Sequence, residues 1–200
     1  MINKIGKLLP FRRSASVGAA LSDEALLAAC ATGDAAALSE LFGRHADGLY
    51  RFLGRLRGAD ARDLDDLLQR TFLEAMRSLG QFRGKASVRT WLFGIAANVV
   101  RHHVRAEARR RTFLDNLSWV REPLPPTPAE TAERRQMGRR LTAALEELSD
   151  DLRIPFLMCD VEGLAGTEVA KVLNLREGTL WRRLHEARMR LRRTVAEETR

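Results

Sequence analysis

Residues 166–185 read GTEVAKVLNLREGTLWRRLH. Thr167 is placed to cap a short helix whose Val169, Ala170, Val172 and Leu173 face inward. Asn174 to Gly178 gives a tight break, after which Thr179 is placed to cap a longer helix with Leu180, Leu184, Ala187, Leu191 and Val195 on one side. Two helices joined by a turn of about four residues, with alanine where they cross closely, describe a helix-turn-helix. The outward face of the second helix carries Trp181, Arg182, Arg183, His185, Arg188 and Arg192. Such a face suits the major groove, where arginine pairs with guanine while its neighbours grip phosphates. The same pattern also describes a basic, solvated helix packed within its own domain.

Toward the N-terminus, helical periodicity extends back from this pair. Ser149 begins a segment containing Ile154, Phe156, Leu157, Met158 and Val161, with Pro155 inside it, and an earlier helix from about Ala132 carries Met137, Leu141, Ala144, Leu145 and Leu148. Between Thr112 and Thr131 the period disappears. Arg121 to Pro128, REPLPPTP, holds four of the six prolines; proline fixes φ and removes donors, so this stretch is a semi-rigid spacer. Further toward the N-terminus lie four helical patterns. Ser22 caps the first and Gly33 ends it; Asp34 caps the second, with Leu38, Leu41, Phe42, His45, Leu49, Phe52, Leu53 and Leu56 in phase up to Gly58. A third runs from about Asp63 to Leu79. A fourth begins near Ser87 with Val88, Trp91, Leu92, Ile95, Val99 and His103 inward. The expected organisation is all-α: a basic N-terminal arm over 1–21, a helical domain over 22–111, a proline-rich linker over 112–131, and a helix-turn-helix domain over 132–197.

Composition narrows the function classes. The chain has 200 residues, a formal charge of +8, and 34 basic against 26 acidic residues, which points to a polyanionic partner. No apolar run approaches the ~18 residues of a membrane-spanning helix, so no membrane insertion is expected. Cys30 and Cys159 are far apart and make no ligand spacing, which argues against a zinc site or a disulfide scaffold and fits a reducing compartment. The first twenty residues could pass for a secretory signal, but Lys7 and Pro10 interrupt the apolar core and Arg12 and Arg13 follow it.

Two blocks carry a specific resemblance. DDLLQRTFLEAMRSL over 65–79, followed by QFRGKASVRTWLFGIAANVVRHHVR through Arg105, resembles region two of the extracytoplasmic-function (ECF) sigma factors, a branch of the bacterial sigma-seventy class. LEELSDDLRIPFLMCDVEGLAGTEVAKVLNLREGTLWRRLHEAR over 145–188 is similar to region four of that group. The resemblance implies a transcription initiation factor with core RNA polymerase and promoter DNA as partners. By match, Asp66, Leu67, Gln69, Thr71, Phe72 and Leu73 would meet the clamp helices of the polymerase's largest subunit. Periodicity turns Leu68 and Phe72 inward, and Arg70 stands where the family usually has an acid. The loop Phe82, Arg83, Gly84, Lys85 to Ser87 would hold a flipped base of the minus-ten element, and Arg89, Asn98, Arg101, His102 and Arg105 would follow the separated strand. The helix-turn-helix, through Arg176, Thr179, Trp181, Arg182, Arg183, His185 and Arg188, would read the minus-thirty-five element, with the polymerase flap region beside it. An anti-sigma factor and a cytoplasmic location are further implications; no cofactor, metal or catalytic residue is expected.

Other classes fit less well. Asp65 with Asp66, or Asp150 with Asp151, resembles a paired carboxylate, but adjacent acids on a helix diverge and both pairs suit helix starts. His45, His102, His103 and His185 form no catalytic grouping, and no phosphate-binding glycine loop occurs. A free-standing helix-turn-helix regulator, binding operator DNA without polymerase, is the alternative to the sigma reading.

Overall fold

The computed structural model describes residues 21–58, 63–114 and 142–197. The arm up to residue 20, the REPLPPTP spacer and the expected helical positions Met137 and Leu141 lie outside them, as does the side chain of Val195. The described residues are helical, with no strand among them.

Local signals set the first boundaries. In α1 (Asp23–Ala31) the Ser22 hydroxyl accepts from the Ala25 N–H at 3.2 Å. In α2 (Ala35–Arg57) the Asp34 carboxylate accepts from Ala36 and Ala37 at 2.8 and 3.1 Å. Each cap satisfies N–H groups that the first helical turn leaves unpaired. Gly58, at φ +79°, ends α2 in a conformation that side-chain-bearing residues rarely adopt. α3 (Leu64–Arg77) leads through a short 3₁₀ turn, Leu79–Gln81, and a loop into α4 (Val88–Leu114).

The core of this N-terminal module comes from the stripes of these helices. Leu41, Leu49, Phe52, Leu53, Leu67 and Leu92 are fully buried, and the rings of Phe52 and Phe93 meet at 4.9 Å. Each such side chain removed from water contributes roughly 1.5–3 kcal/mol. The buried face of α4 differs from expectation. Val88, Leu92, Phe93, Ala96, Ala97 and Val100 are buried, whereas Trp91, Ile95, Val99 and His103 are only partly so. The reason is that α4 packs on more than one neighbour, so its apolar surface is broader than the single stripe that periodicity assumes.

The C-terminal module starts with a helical turn over 142–146 and continues into α5 (Asp150–Phe156). Pro155 cannot donate, and beyond it the chain widens into a π turn over Leu157–Val161, closed by the Glu162 N–H bonding the Leu157 carbonyl at 2.9 Å. The helix-turn-helix follows as α6 (Gly166–Val172) and α7 (Glu177–Glu197), with Val169, Ala170, Leu180, Leu184, Ala187 and Leu191 buried between them and α5. Neither threonine caps as expected. Ala165 precedes α6, leaving Thr167 in its first turn, and α7 starts after Arg176, whose carbonyl accepts from Thr179 and Leu180. Asn174 takes a positive φ of 53° at the break.

The two modules touch. α6 lies against α4 where Gly94 faces Val172, and a Cβ at position 94 would fall 2.9 Å from the Val172 Cβ. That approach depends on glycine in the middle of a helix, where its cost in helix stability is otherwise unrewarded.

Candidate polymerase and nucleic-acid interface

On α3, exposure separates the expected contact residues into two sets. Asp66, Gln69, Arg70 and Leu73 face solvent at i, i+3, i+4 and i+7, with Leu73 50% exposed. Leu67, Thr71 and Phe72 do not. Leu67 and Thr71 are wholly buried, the Thr71 hydroxyl donates to the Leu67 carbonyl at 2.7 Å, and Phe72 packs on Phe42 at 4.5 Å. These three are core, because the apolar stripe of α3 must cover α2 and α4, so the candidate surface shrinks to the outer face. Arg70 pairs with Asp66 at 2.8 Å one turn away, so the departure from the family's acid is balanced within the helix.

The loop before α4 presents Arg83 and Lys85 to solvent, with Gly84 at φ +64° between them. Phe82 anchors it by packing on Trp91 at 5.2 Å. Along α4, Asn98, His102 and Arg105 form an exposed polar row at i, i+4 and i+7, while Arg101 is partly buried, 3.6 Å from Asp151. Asn98 and His102 share a groove of about 820 Å³ with Trp91 of α4 and with Arg70, Leu73 and Arg77 of α3. The candidate polymerase face and the candidate strand face are therefore contiguous.

Ser87 and Arg89 are engaged by the other module. One oxygen of the Glu168 carboxylate accepts from the Ser87 N–H at 3.1 Å, the Ser87 hydroxyl at 2.9 Å and the Thr90 hydroxyl at 2.7 Å. These bonds, the Thr90 hydroxyl foremost, hold the Glu168 carboxyl below its ordinary pKa against the opposing effect of burial. Glu162, whose side chain is only 8% exposed, pairs through one oxygen with Arg55 at 2.7 Å and through the other with Arg89 at 3.2 Å. The Arg89 guanidinium also lies over the Phe93 ring at 5.3 Å.

On α7 the outward row consists of Trp181, Arg182, His185, Met189 and Arg192. Trp181, 49% exposed, lies over Gly166, where a Cβ would fall 2.5 Å from the indole. Arg176 is exposed and Thr179 partly buried at the start of the helix. Arg183 does not belong to the row: it is turned back toward Asp151, 3.3 Å away. Arg188 is on the edge of the row but is clasped by both oxygens of Asp160 at 2.6 and 2.8 Å, a bidentate pair that raises the guanidinium's pKa further. Burial pushes the neighbouring Cys159 thiol up to about 11, with the Asp160 charge adding to the effect and Arg188 opposing it.

Asp63, His103 and Glu107 also gather at one point, a grouping that could hold a metal ion. The Arg57 guanidinium already sits there, 3.1 Å from Glu107 and 3.5 Å from Asp63, and supplies the positive charge. Sequence reading missed Glu162, Glu168, Arg55 and Thr90, because no spacing within either motif couples them. Met189 was passed over as well, although its place in the α7 heptad puts it outward.

A helix-turn-helix with an arginine-bearing outer row, packed against a second helical module that carries its own basic loop, defines a DNA-binding transcription protein. The model of Sigma-70 region 2 matches residues 41–110, and that of Sigma-70 region 4 matches residues 138–191. The chain is 34% identical over 175 residues to the ECF RNA polymerase sigma factor SigM of Mycobacterium tuberculosis, covering 87% of this chain and 85% of that one. It is 34% identical over 173 residues to ECF sigma factor SigE of Mycolicibacterium smegmatis, spanning 84% of this chain and 66% of that longer relative. It is 27% identical over 176 residues to the ECF sigma-E factor of Haemophilus influenzae, with 84% and 92% covered. Among solved structures, CnrH in complex with the cytosolic domain of CnrY matches with a TM-score of 0.65 at 26% identity, over 88% of this chain and 97% of that one. The sigma factor RpoE in complex with the anti-sigma factor NepR from Bartonella quintana shares the fold, with a TM-score of 0.62 at 22% identity over 75% and 91%. The chain belongs to the sigma-70 family, in its ECF branch, and is an RNA polymerase sigma factor.

Proposed function

We propose that the exposed face of α3, through Asp66, Gln69 and Leu73, docks on the clamp helices of core RNA polymerase, and that the adjoining loop and α4 row handle the minus-ten element. An apolar knob flanked by polar anchors suits helix-to-helix docking. Arg83, Gly84, Lys85 and Ser87 would cradle an extruded base, a step costing a few kcal/mol of unstacking that the pocket and phosphate contacts must offset. Asn98, His102 and Arg105, with Arg101, would then follow the separated strand. The contiguity of the two faces across one groove is the observation that carries this reading, since it couples polymerase docking to strand capture.

The outer row of α7 would enter the duplex at the minus-thirty-five element, with Arg182 and His185 toward base edges and Arg176 and Arg192 toward phosphates. The flap region of the polymerase would adjoin this module, and the segment over 112–131 would span the two promoter sites. The protein acts in the cytoplasm as an initiation factor with no catalysis of its own, and an anti-sigma factor restrains it.

Run-off transcription with core polymerase and a promoter library tests the assignment. Starts that appear only when the protein is added, and that vanish with Arg83→Ala and Lys85→Ala together, are expected. Identical starts with and without the protein would overturn it. Tight, sequence-specific binding of duplex by the isolated protein would instead favour a free-standing regulator.

A further inference from the structure

Away from both candidate interfaces, three side chains converge where the end of α2, the start of α3 and the second half of α4 meet. His103 and Glu107 lie one turn apart on α4, so their donor atoms share a face, and Asp63 immediately precedes α3. His103 Nε2 is 2.6 Å from Asp63 Oδ2 and 3.4 Å from Glu107 Oε1, and the three donors all lie within 4.8 Å of one another. Two observations set this group apart from an ordinary ion-pair cluster. Asp63 occupies the capping position of α3 yet makes no capping bond, whereas Asp34 caps α2 with two. Its carboxylate is turned to the imidazole instead. In addition, Asp63 Oδ2 and His103 Nε2, close as they are, are buried atoms with no hydrogen-bond partner, as is Arg57 Nε beside them. Buried polar atoms left in this way are costly unless a further group takes their lone pairs. The Arg57 guanidinium does so only in part, at 3.1 Å from Glu107 Oε2 and 3.5 Å from Asp63 Oδ2, the latter longer than a good N–H···O bond.

We infer that Asp63, His103 and Glu107 form a site for a divalent transition-metal ion of the Zn²⁺ class, held by one imidazole nitrogen and two carboxylate oxygens, with Arg57 as the displaceable cation that gathers the acids when no ion is bound. The imidazole selects for such ions over Mg²⁺ and Ca²⁺, which prefer shells made of oxygen alone. Zinc takes nitrogen and carboxylate oxygen at ~2.0–2.2 Å, and three protein ligands leave a fourth position for water. Glu107 is only partly buried, so rotation of its side chain can close the remaining distance. The charges also match. Two carboxylates neutralise a divalent ion, which frees Arg57 to turn toward solvent. An ion here fastens the residue before α3 directly to α4, so metal binding stabilises the N-terminal module by mass action. The site does not depend on the assignments of the polymerase and promoter contacts.

Isothermal titration of Zn²⁺ into the full-length protein, first treated with chelator, reads the site directly, and thermal melts with and without Zn²⁺ read its effect on the fold. One tightly bound ion per chain and a raised melting temperature are expected. His103→Gln and Glu107→Gln should each weaken binding by more than about tenfold, since a coordinating group matters more than the outer-shell partners whose loss already costs that much. Arg57→Gln separates a metal site from a purely structural ion-pair cluster. It breaks the ion pairs of the metal-free chain, yet it should bind Zn²⁺ about tenfold more tightly than wild type, because a competing positive charge is gone. Co²⁺ in place of Zn²⁺ should give weak visible absorption without the intense near-ultraviolet band of a thiolate ligand, which places the ion away from Cys30 and Cys159. Circular dichroism checks that each variant is helical; should His103→Gln fail to fold, Glu107→Gln decides. Failure of both wild type and Arg57→Gln to bind Zn²⁺ overturns the site. Binding left unchanged by the ligand substitutions overturns it too, as does a thiolate band with Co²⁺ or an Arg57→Gln affinity no higher than that of wild type.

Discussion

The Glu168 carboxylate accepts from the Thr90 hydroxyl at 2.7 Å, across seventy-eight positions of sequence. Thr90 is buried and Glu168 comes from the first helix of the helix-turn-helix, so this bond ties the two helical modules of the protein to each other.

Acid should loosen the seam. Glu168 has a depressed pKa in the folded chain, so its contribution is fully present above the ordinary glutamate value of ~4.3 and is lost as pH falls through and below it. Scattering measured from pH 7 downward should show expansion that begins in this range while far-ultraviolet circular dichroism still reports helix. Glu168→Gln should be expanded already at neutral pH.

Residues 94 and 172 should cross-link. Gly94→Cys with Val172→Cys, in a background of Cys30→Ser and Cys159→Ser, places two thiols at a seam where the Cβ atoms would lie 2.9 Å apart, closer than the ~3.5–4.5 Å of a relaxed disulfide, so the bond forms once the helices part slightly. Oxidation should yield an intramolecular disulfide that runs faster on a non-reducing gel, and reductant should reverse it. Absence of the band under catalysed oxidation, in a variant whose melting temperature and scattering match those of wild type, would contradict the packing of α6 on α4.

The helix-turn-helix arginines should divide into two phenotypes. Arg182→Ala should weaken promoter use by roughly 1–3 kcal/mol, the value of one base contact, with core binding and melting temperature unchanged. Arg183→Ala should instead lower the melting temperature modestly, because Arg183 serves Asp151 rather than the outer row. Footprinting and thermal melts on the same two proteins separate these outcomes.

On α3, Leu73→Ala should reduce affinity for core polymerase about tenfold without unfolding the module, as truncation of an exposed anchor does. Leu67→Ala, at a wholly buried site, should cost about 2–5 kcal/mol of stability by cavity formation. Binding titrations alongside denaturant melts distinguish them.

Cys159 should be a sluggish thiol. With its pKa pushed up to about 11, it carries roughly a hundredfold less thiolate at pH 8 than an unperturbed cysteine. Iodoacetamide labelling followed by peptide mass analysis should be slow in the native protein and fast in denaturant.

Much of the fold was written in local chemistry. Ser22, Asp34 and Gly58 punctuate helices by satisfying or ending backbone bonds within a few residues, and such signals need no tertiary context. Thr167 and Thr179 misled for the opposite reason. Each has a side chain suited to capping, but α6 and α7 start two and three residues earlier than caps at those positions would set them. The candidate site was legible where exposure follows from periodicity, as for Gln69 and Leu73. It was less legible at Thr71, whose hydroxyl is satisfied by the carbonyl one turn back and so lies in the core as an apolar residue would. Arg183 and Arg188 looked equivalent to Arg182 because sequence shows charge without showing which acid already holds it. The seam at Glu162 and Glu168 had no sequence signature, since its partners lie in separate motifs.

The wide turn over 157–161 has a mechanical corollary. It sets Asp160 against Arg188 of the recognition helix and, two residues on, Glu162 against Arg55 and Arg89 of the other module. Two residues of backbone thus separate an ion pair within the C-terminal module from the pair of arginines held in the other. The grip on the second helix of the helix-turn-helix and the grip on the other module therefore share one backbone segment, so the placing of α7 and that of the N-terminal module are set together.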